Sequence, residues 1–190
     1  MRSALGSAFM SLIRACRALE LGIEWLGAFV AWITLIPLII VSVYDIVGRQ
    51  FFNTGSTRLQ ELEWHFFLAL VMLGLGSAYV ADAHVRIDLV RDRLAPRTRA
   101  WIELLGCVSI IVPFCLLLIV YGGELALGAF ATGERSRAAL GLPMRWIIMS
   151  TLPLGGLLLL LAGLSIAVRN GAFLLGRAPD VPHGPRTKAG

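Results

Sequence analysis

Apolar residues in this chain gather into four long blocks separated by short charged punctuation. The blocks fall at about 22–47, 61–81, 101–125 and 142–168, and each approaches or reaches the roughly 20 residues that cross a hydrocarbon core of about 30 Å. None alternates in the manner of a barrel strand, and a backbone in lipid must satisfy its own hydrogen bonds, so all four are expected to be helices. The expected fold class is all-α, a polytopic membrane protein whose four transmembrane helices form one domain over 21–169. Pro37, Pro113 and Pro153 lie inside three of the blocks and predict local kinks. Trp25, Trp64, Trp101 and Trp146 stand near block ends, where interfacial aromatics belong.

Residues 1–20 mix Phe9, Met10, Leu12 and Ile13 with Arg14 and Arg17, a pattern for an amphipathic segment on the inner leaflet leading into the first span. A cleaved signal peptide is disfavoured, because no short apolar core with a small-residue cleavage site precedes Glu20 and Glu24. Residues 170–190 turn to Gly, Pro and basic residues, which predicts a disordered cytoplasmic tail.

The punctuation is most specific around the second block, which opens on LQELEWHFF and closes on ADAHVRID. Glu61 begins that helix, where the helix dipole favours an anion; a partner such as Arg49 or Arg58 is the alternative reading. Trp64 and His65 beside it are interfacial residues first and contacts second. Asp45 and Arg49 stand four apart at the end of the first block, the spacing of an ion pair worth about 0.3–0.5 kcal/mol if exposed. Arg49 is also placed to grip an anionic headgroup or a partner's carboxylate. Gly74 and Ala78 are small enough to admit a neighbouring helix, from this chain or another. His84, Arg86 and Asp88 close the segment. One His and one Asp make an incomplete metal site, so a capping and docking corner fits better. There Asp88 caps a short helix whose Leu89, Val90 and Leu94 face lipid or a partner, while Arg91, Arg93, Arg97 and Arg99 snorkel to headgroups.

Composition agrees with the blocks: 57% of the 190 residues are hydrophobic and 15% charged, and mean hydropathy is +0.79, too apolar for a soluble domain of this length. The net charge of +5 is unevenly placed. With the N-terminus inside, twelve of the seventeen basic residues fall on the inner side and only Arg49, Arg58, Arg135, Arg137 and Arg145 on the outer. The positive-inside rule then puts both termini in the cytoplasm. With no stacking aromatics or basic stripe, no nucleic acid is expected as a partner.

Several chemistries are disfavoured. His65 and His84 lie on one span, about 28 Å apart along it, and His183 is in the tail, so no two histidines can bind a haem from facing helices. Cys107 and Cys115 are about 12 Å apart on one helix and cannot pair within it. With no clustered metal ligands, phosphate loop or nucleophile elbow, no catalytic residue, cofactor or metal is expected. Autonomous transport lacks the paired halves and interrupted helices of secondary transporters, and the interior from Leu26 to Tyr44 holds no carboxylate of the kind a small four-helix exporter uses.

Asp45, Arg49 and Phe52, then Gln60-Glu61, Leu73-Gly74 and His84-Val85-Arg86-Ile87-Asp88 resemble, in order and spacing, the small four-helix permease subunit of tripartite ATP-independent periplasmic (TRAP) transporters. The resemblance runs from about Glu24 to Val168. Residues 141–163 are similar to the branch labelled for mannitol or chloroaromatic compounds. Gln60, where many members have Glu, and Ala69, where an aromatic is common, depart from the pattern. The resemblance implies a bacterial inner-membrane scaffold subunit that braces a large polytopic permease. That permease works as an elevator on a sodium gradient and receives a solute, usually an organic acid, from a periplasmic solute-binding protein. Membrane lipids are further partners. The outer links 48–60 and 126–141 would then meet the binding protein transiently, through Arg58, Glu134, Arg135 and Arg137. An autonomous four-helix transporter and a membrane anchor of an enzyme complex remain the alternatives.

Overall fold

The computed structural model describes residues 2–52, 55–81, 94–135 and 142–176, with side chains from Met10 onward. Its elements are α1 (Arg2–Phe52), α2 (Thr57–Val80), α3 (Pro96–Gly106), a π-helical turn (Cys107–Ile111), α4 (Val112–Ala131), α5 (Arg145–Met149) and α6 (Thr151–Leu174). No strand occurs among the described residues. Joined end to end, they give four rods long and apolar enough to cross a membrane: Met10–Phe52, Thr57–Val80, Pro96–Ala131 and Arg145–Leu174. The all-α, four-span architecture is thus as expected, and the differences lie at the boundaries.

Helix α1 is uninterrupted for 51 residues, about 76 Å. Good helix formers carry it from Arg14 through Leu26, with Gly22 the one poor residue between them, so the N-terminal segment and the first span share one rod. The third rod outlasts its apolar block by six residues. It stops at Ala131, where Gly133 takes a left-handed φ of 59° and the Gly133 and Glu134 amides donate to the Phe130 and Ala129 carbonyls, a glycine-terminated helix end. Asn170 to Leu174, expected in a disordered tail, continue α6.

Two of the three prolines inside the apolar blocks coincide with breaks in the α ladder. Pro113 follows the π turn, and Pro153 follows the break at Ser150. Each removes an amide that would bond the carbonyl four residues back. Pro37 sits within α1, which is helical on both sides of it.

The rods pack as an open row rather than a closed bundle. Helix α1 lies on α2, α2 on α6, and α6 on α3 and α4, with a further contact from α1 to α6. The α5–α6 rod is central: 39% of its most apolar window is buried, against 11–17% in the other three. Small and polar residues at the helix contacts lie beside an apolar cluster of Ile23, Tyr79, Val80, Leu159 and Ile166, while many large apolar side chains face outward. On α1 the buried positions include Glu20, Ile23, Gly27, Thr34, Asp45 and Gly48, while Trp25 and Trp32 are each 70% exposed.

Glycines set the helix spacing. A side-chain carbon added at Gly76 would meet the Leu158 carbonyl at 3.0 Å, one at Gly156 the Leu118 Cβ at 2.9 Å, and one at Gly122 the Leu152 Cβ at 2.8 Å. Gly155 is tighter still, facing the Met72 backbone, and Gly27 faces Ser77. Several hydroxyls in the spans are turned back onto their own rods: Thr34 donates to the Val30 carbonyl at 2.7 Å, Ser77 to Gly74 at 2.9 Å and Thr151 to Ile148 at 2.7 Å. That satisfies them without solvent.

Candidate functional site

Polar side chains meet at both ends of the row. At the proximal end, where the described chain enters and leaves, Glu20 of α1 receives Ser165 Oγ at 2.8 Å and Arg169 Nη1 at 2.6 Å from α6. Ser165 also lies 3.2 Å from the Cys16 carbonyl. Next along α6, Asn170 is 1% exposed, and neither amide atom has a hydrogen-bond partner. Glu20 and Arg169 were not among the residues singled out from sequence. A signal was present: Glu20, Ile23, Gly27 and Thr34 share helical spacing on one face of α1, opposite an aromatic face.

At the distal end the expected pair forms. Asp45, 3% exposed, binds Arg49 through Oδ2, while its Oδ1 is buried without a partner. With its amide turned to present oxygen, Gln60 accepts from both terminal nitrogens of Arg49, at 3.1 and 3.0 Å. Arg49 thereby ties the end of α1 to the start of α2, a role the i,i+4 spacing did not disclose. Glu61 Oε2 accepts the Leu142 amide at 2.8 Å, tying α2 to the segment before α5. The Glu61 carbonyl lies 2.6 Å from His65 Nδ1. Glu134, beyond α4, pairs with Arg145 at 2.5 Å, and Phe130 meets Trp146 edge to face at 5.4 Å. This end is therefore a chain of polar clasps joining all four rods.

Replacement of Arg49 by Ala should lower stability by about 1–3 kcal/mol, because it leaves a buried carboxylate unpaired. The check is a thermal unfolding midpoint in detergent, and an unchanged midpoint would remove Arg49 from the set of clasps.

The remaining candidates are scattered. Trp64 is 70% exposed and packs edge to face on Phe67 at 6.3 Å. Gly74 faces open space, and the close approach on this helix falls to Gly76 instead. Arg58 and Arg135 are exposed at the distal end. His84, Arg86, Asp88 and Arg137 lie outside the described residues, as do the corner and short helix expected around Asp88. Among the described residues no three His, Cys, Asp or Glu side chains gather to hold a metal ion.

One further carboxylate, not singled out from the sequence, stands apart. Glu124 lies at the edge of an apolar block that ends at about residue 125, but its helix runs on to Ala131, leaving it about 10 Å from the helix end. Gly122 lies opposite Leu152 and Pro153, so Glu124 is level with about Ser150. That is about 7 Å deeper than Arg145.

The chain matches the family described as Tripartite ATP-independent periplasmic transporters, DctQ component, over residues 38–171. No curated protein matches it significantly. The match spans α2 to α5 whole, most of α6 and the final part of α1 (38–52), including both Arg49 and Arg169, and it is to a family of transporter components rather than enzymes. By its four membrane-length rods and this match over most of its length, the chain belongs to the DctQ family, the small membrane component of TRAP transporters.

Proposed function

We propose that this chain is the stationary scaffold of a TRAP-type secondary importer in a bacterial inner membrane. In this reading it braces a large elevator-type permease, which takes up a solute, an organic acid by class, delivered by a periplasmic binding protein and driven by a sodium gradient. The observation that carries the reading is the glycine seam. Backbones in contact from α2 to α6, and from α6 to α4, leave no solute path along those interfaces and resist sliding. Such a part suits the fixed side of a machine whose other side moves.

Solute choice belongs to the other two components in this reading, and the likeness of 141–163 to the branch labelled for mannitol or chloroaromatic compounds bears on lineage. The distal links, with Arg58, Glu134, Arg135 and Arg137, form the transient contact for the binding protein, and Glu134 is already engaged by Arg145. Both termini lie in the cytoplasm, an orientation that reporter fusions at Ser3 and after Lys188 check directly.

Glu124 favours a second reading, an autonomous transporter using a membrane carboxylate. It points away from the chain's own helices, so it lines no passage between them. Reconstitution separates the two. Purified alone into liposomes, the chain should neither bind nor move solute; with the large permease and binding protein present, uptake should depend on it. Sodium-driven uptake by the lone chain would end the scaffold reading.

A further inference from the structure

We infer that the distal half of α4 is the docking face for a membrane helix of the large permease, and that Glu124 receives a lysine or arginine side chain from that helix. The inference rests on the scaffold reading and names the face through which that reading operates. Helix α4 turns Cys115, Gly122, Ala126 and Ala129 inward, all buried. Glu124, two residues past Gly122, points about 200° around the helix from it. Tyr121, Leu125, Gly128 and Thr132 lie on the same outward side, and with Glu124 and Glu134 they line a shallow groove.

Three observations make this face unlike a lipid-facing one. Leu127 and Phe130 show what lipid requires, at 71% and 63% exposure; Tyr121, Glu124 and Thr132 form a polar stripe beside them. Gly128 has open space where a side chain would stand, so packing within this chain does not explain a residue that weakens a helix, whereas close approach by a second helix does. Last, two other polar groups of the groove are engaged: the Thr132 hydroxyl donates to the Gly128 carbonyl at 2.8 Å, and Glu134 holds Arg145. Glu124 is exposed and makes no hydrogen bond or ion pair among the described residues. An ionisable group set this far below the helix end, facing out of its own chain, is matched by a partner group of opposite charge in the assembled membrane protein. The charge on offer is negative, so the matching group is a cation, and the groove beside Gly128 admits the helix that carries it.

The test uses the complex co-expressed with the tagged large permease and purified in detergent. Failure of the wild-type chain to co-purify would strike the scaffold reading itself. Given co-purification, Glu124→Lys should reduce recovery at least about tenfold and Glu124→Gln less, while the lone chain keeps its unfolding midpoint, since Glu124 is exposed and makes no hydrogen bond or ion pair among the described residues. A photo-crosslinking residue at Tyr121 or Leu125 should attach to one helix of the large permease. Reversing a basic residue on that helix to Glu should restore recovery of the Glu124→Lys chain. Wild-type recovery of Glu124→Lys, or crosslinks from these positions to lipid alone, would overturn the inference.

Discussion

Gly155→Ala should separate the two central helices and lower stability by about 3 kcal/mol, the upper range for overpacking a tight contact. A methyl group at this position would fall 2.7 Å from the Met72 carbonyl carbon and nearer still to its oxygen. Both are backbone atoms, so no rotamer change relieves the clash, and α2 and α6 must move apart along their length. Separation also loosens Gly76 from the Leu158 carbonyl, part of the same seam. Gly123→Ala is the matched control. Its added carbon meets nothing within 4 Å, so the ordinary helix preference for Ala should leave stability unchanged or raise it by up to about 1 kcal/mol. Unfolding midpoints of the two purified variants decide the matter, and equal midpoints would mean that the seam does not set helix spacing.

The second large effect is expected at the proximal clasp. Glu20→Ala leaves Arg169, 20% exposed at the side chain, without its carboxylate and removes the acceptor for Ser165. Losing one partner of a buried pair costs about 3–5 kcal/mol, and the residual exposure of Arg169 places this case near 3. The double variant Glu20→Leu, Arg169→Met should recover most of that loss, because two apolar side chains of similar volume leave no charge behind. Glu20→Gln should fall between, keeping an acceptor for Ser165. A double variant no better than Glu20→Ala alone would show that packing around Glu20, rather than charge pairing, holds α1 to α6.

The contrast between Gly74 and Gly76 shows how far sequence carries. Both belong to one small-residue cluster, and hydropathy places the cluster in a span, yet only the azimuth of the helix decides which glycine touches Leu158 and which faces out. That azimuth is a property of three helices packed together and has no local signature. The four spans were legible because lipid demands long uncharged runs, a constraint local to the chain. The pair at Asp45 and Arg49 was legible for the same reason, being one helical turn, while the tie from Arg49 to Gln60 depends on how the α1–α2 link folds. Glu124 draws no notice in the sequence because hydropathy locates only where an apolar block ends. The helix that contains it ends where Gly133 adopts a left-handed φ, six residues later than the hydropathy does. Glu20 and Arg169 were passed over because each, read alone, looks like an ordinary charge at a membrane border. Only their meeting across 149 residues makes them a clasp.

The π-helical turn at Cys107–Ile111 bears on how this rod tolerates insertion and deletion. A π turn closes its ring with one residue more than the α ladder on either side of it, so an extra residue is absorbed between α3 and α4. Each residue of an α-helix advances the azimuth by about 100°. Removing a single exposed residue such as Ile110 would let the turn relax to an α-helix with almost no change in hydropathy, span length or charge. Trp101 and Arg97 before it and Glu124 beyond it would then keep nearly the same relative bearing, whereas the same deletion within α4, at Leu117 for example, would swing Glu124 by about 100° toward a different neighbour. Within this rod, residue count acts as an angular coordinate everywhere but at the π turn, where one residue can be gained or lost while the outward face holds its direction.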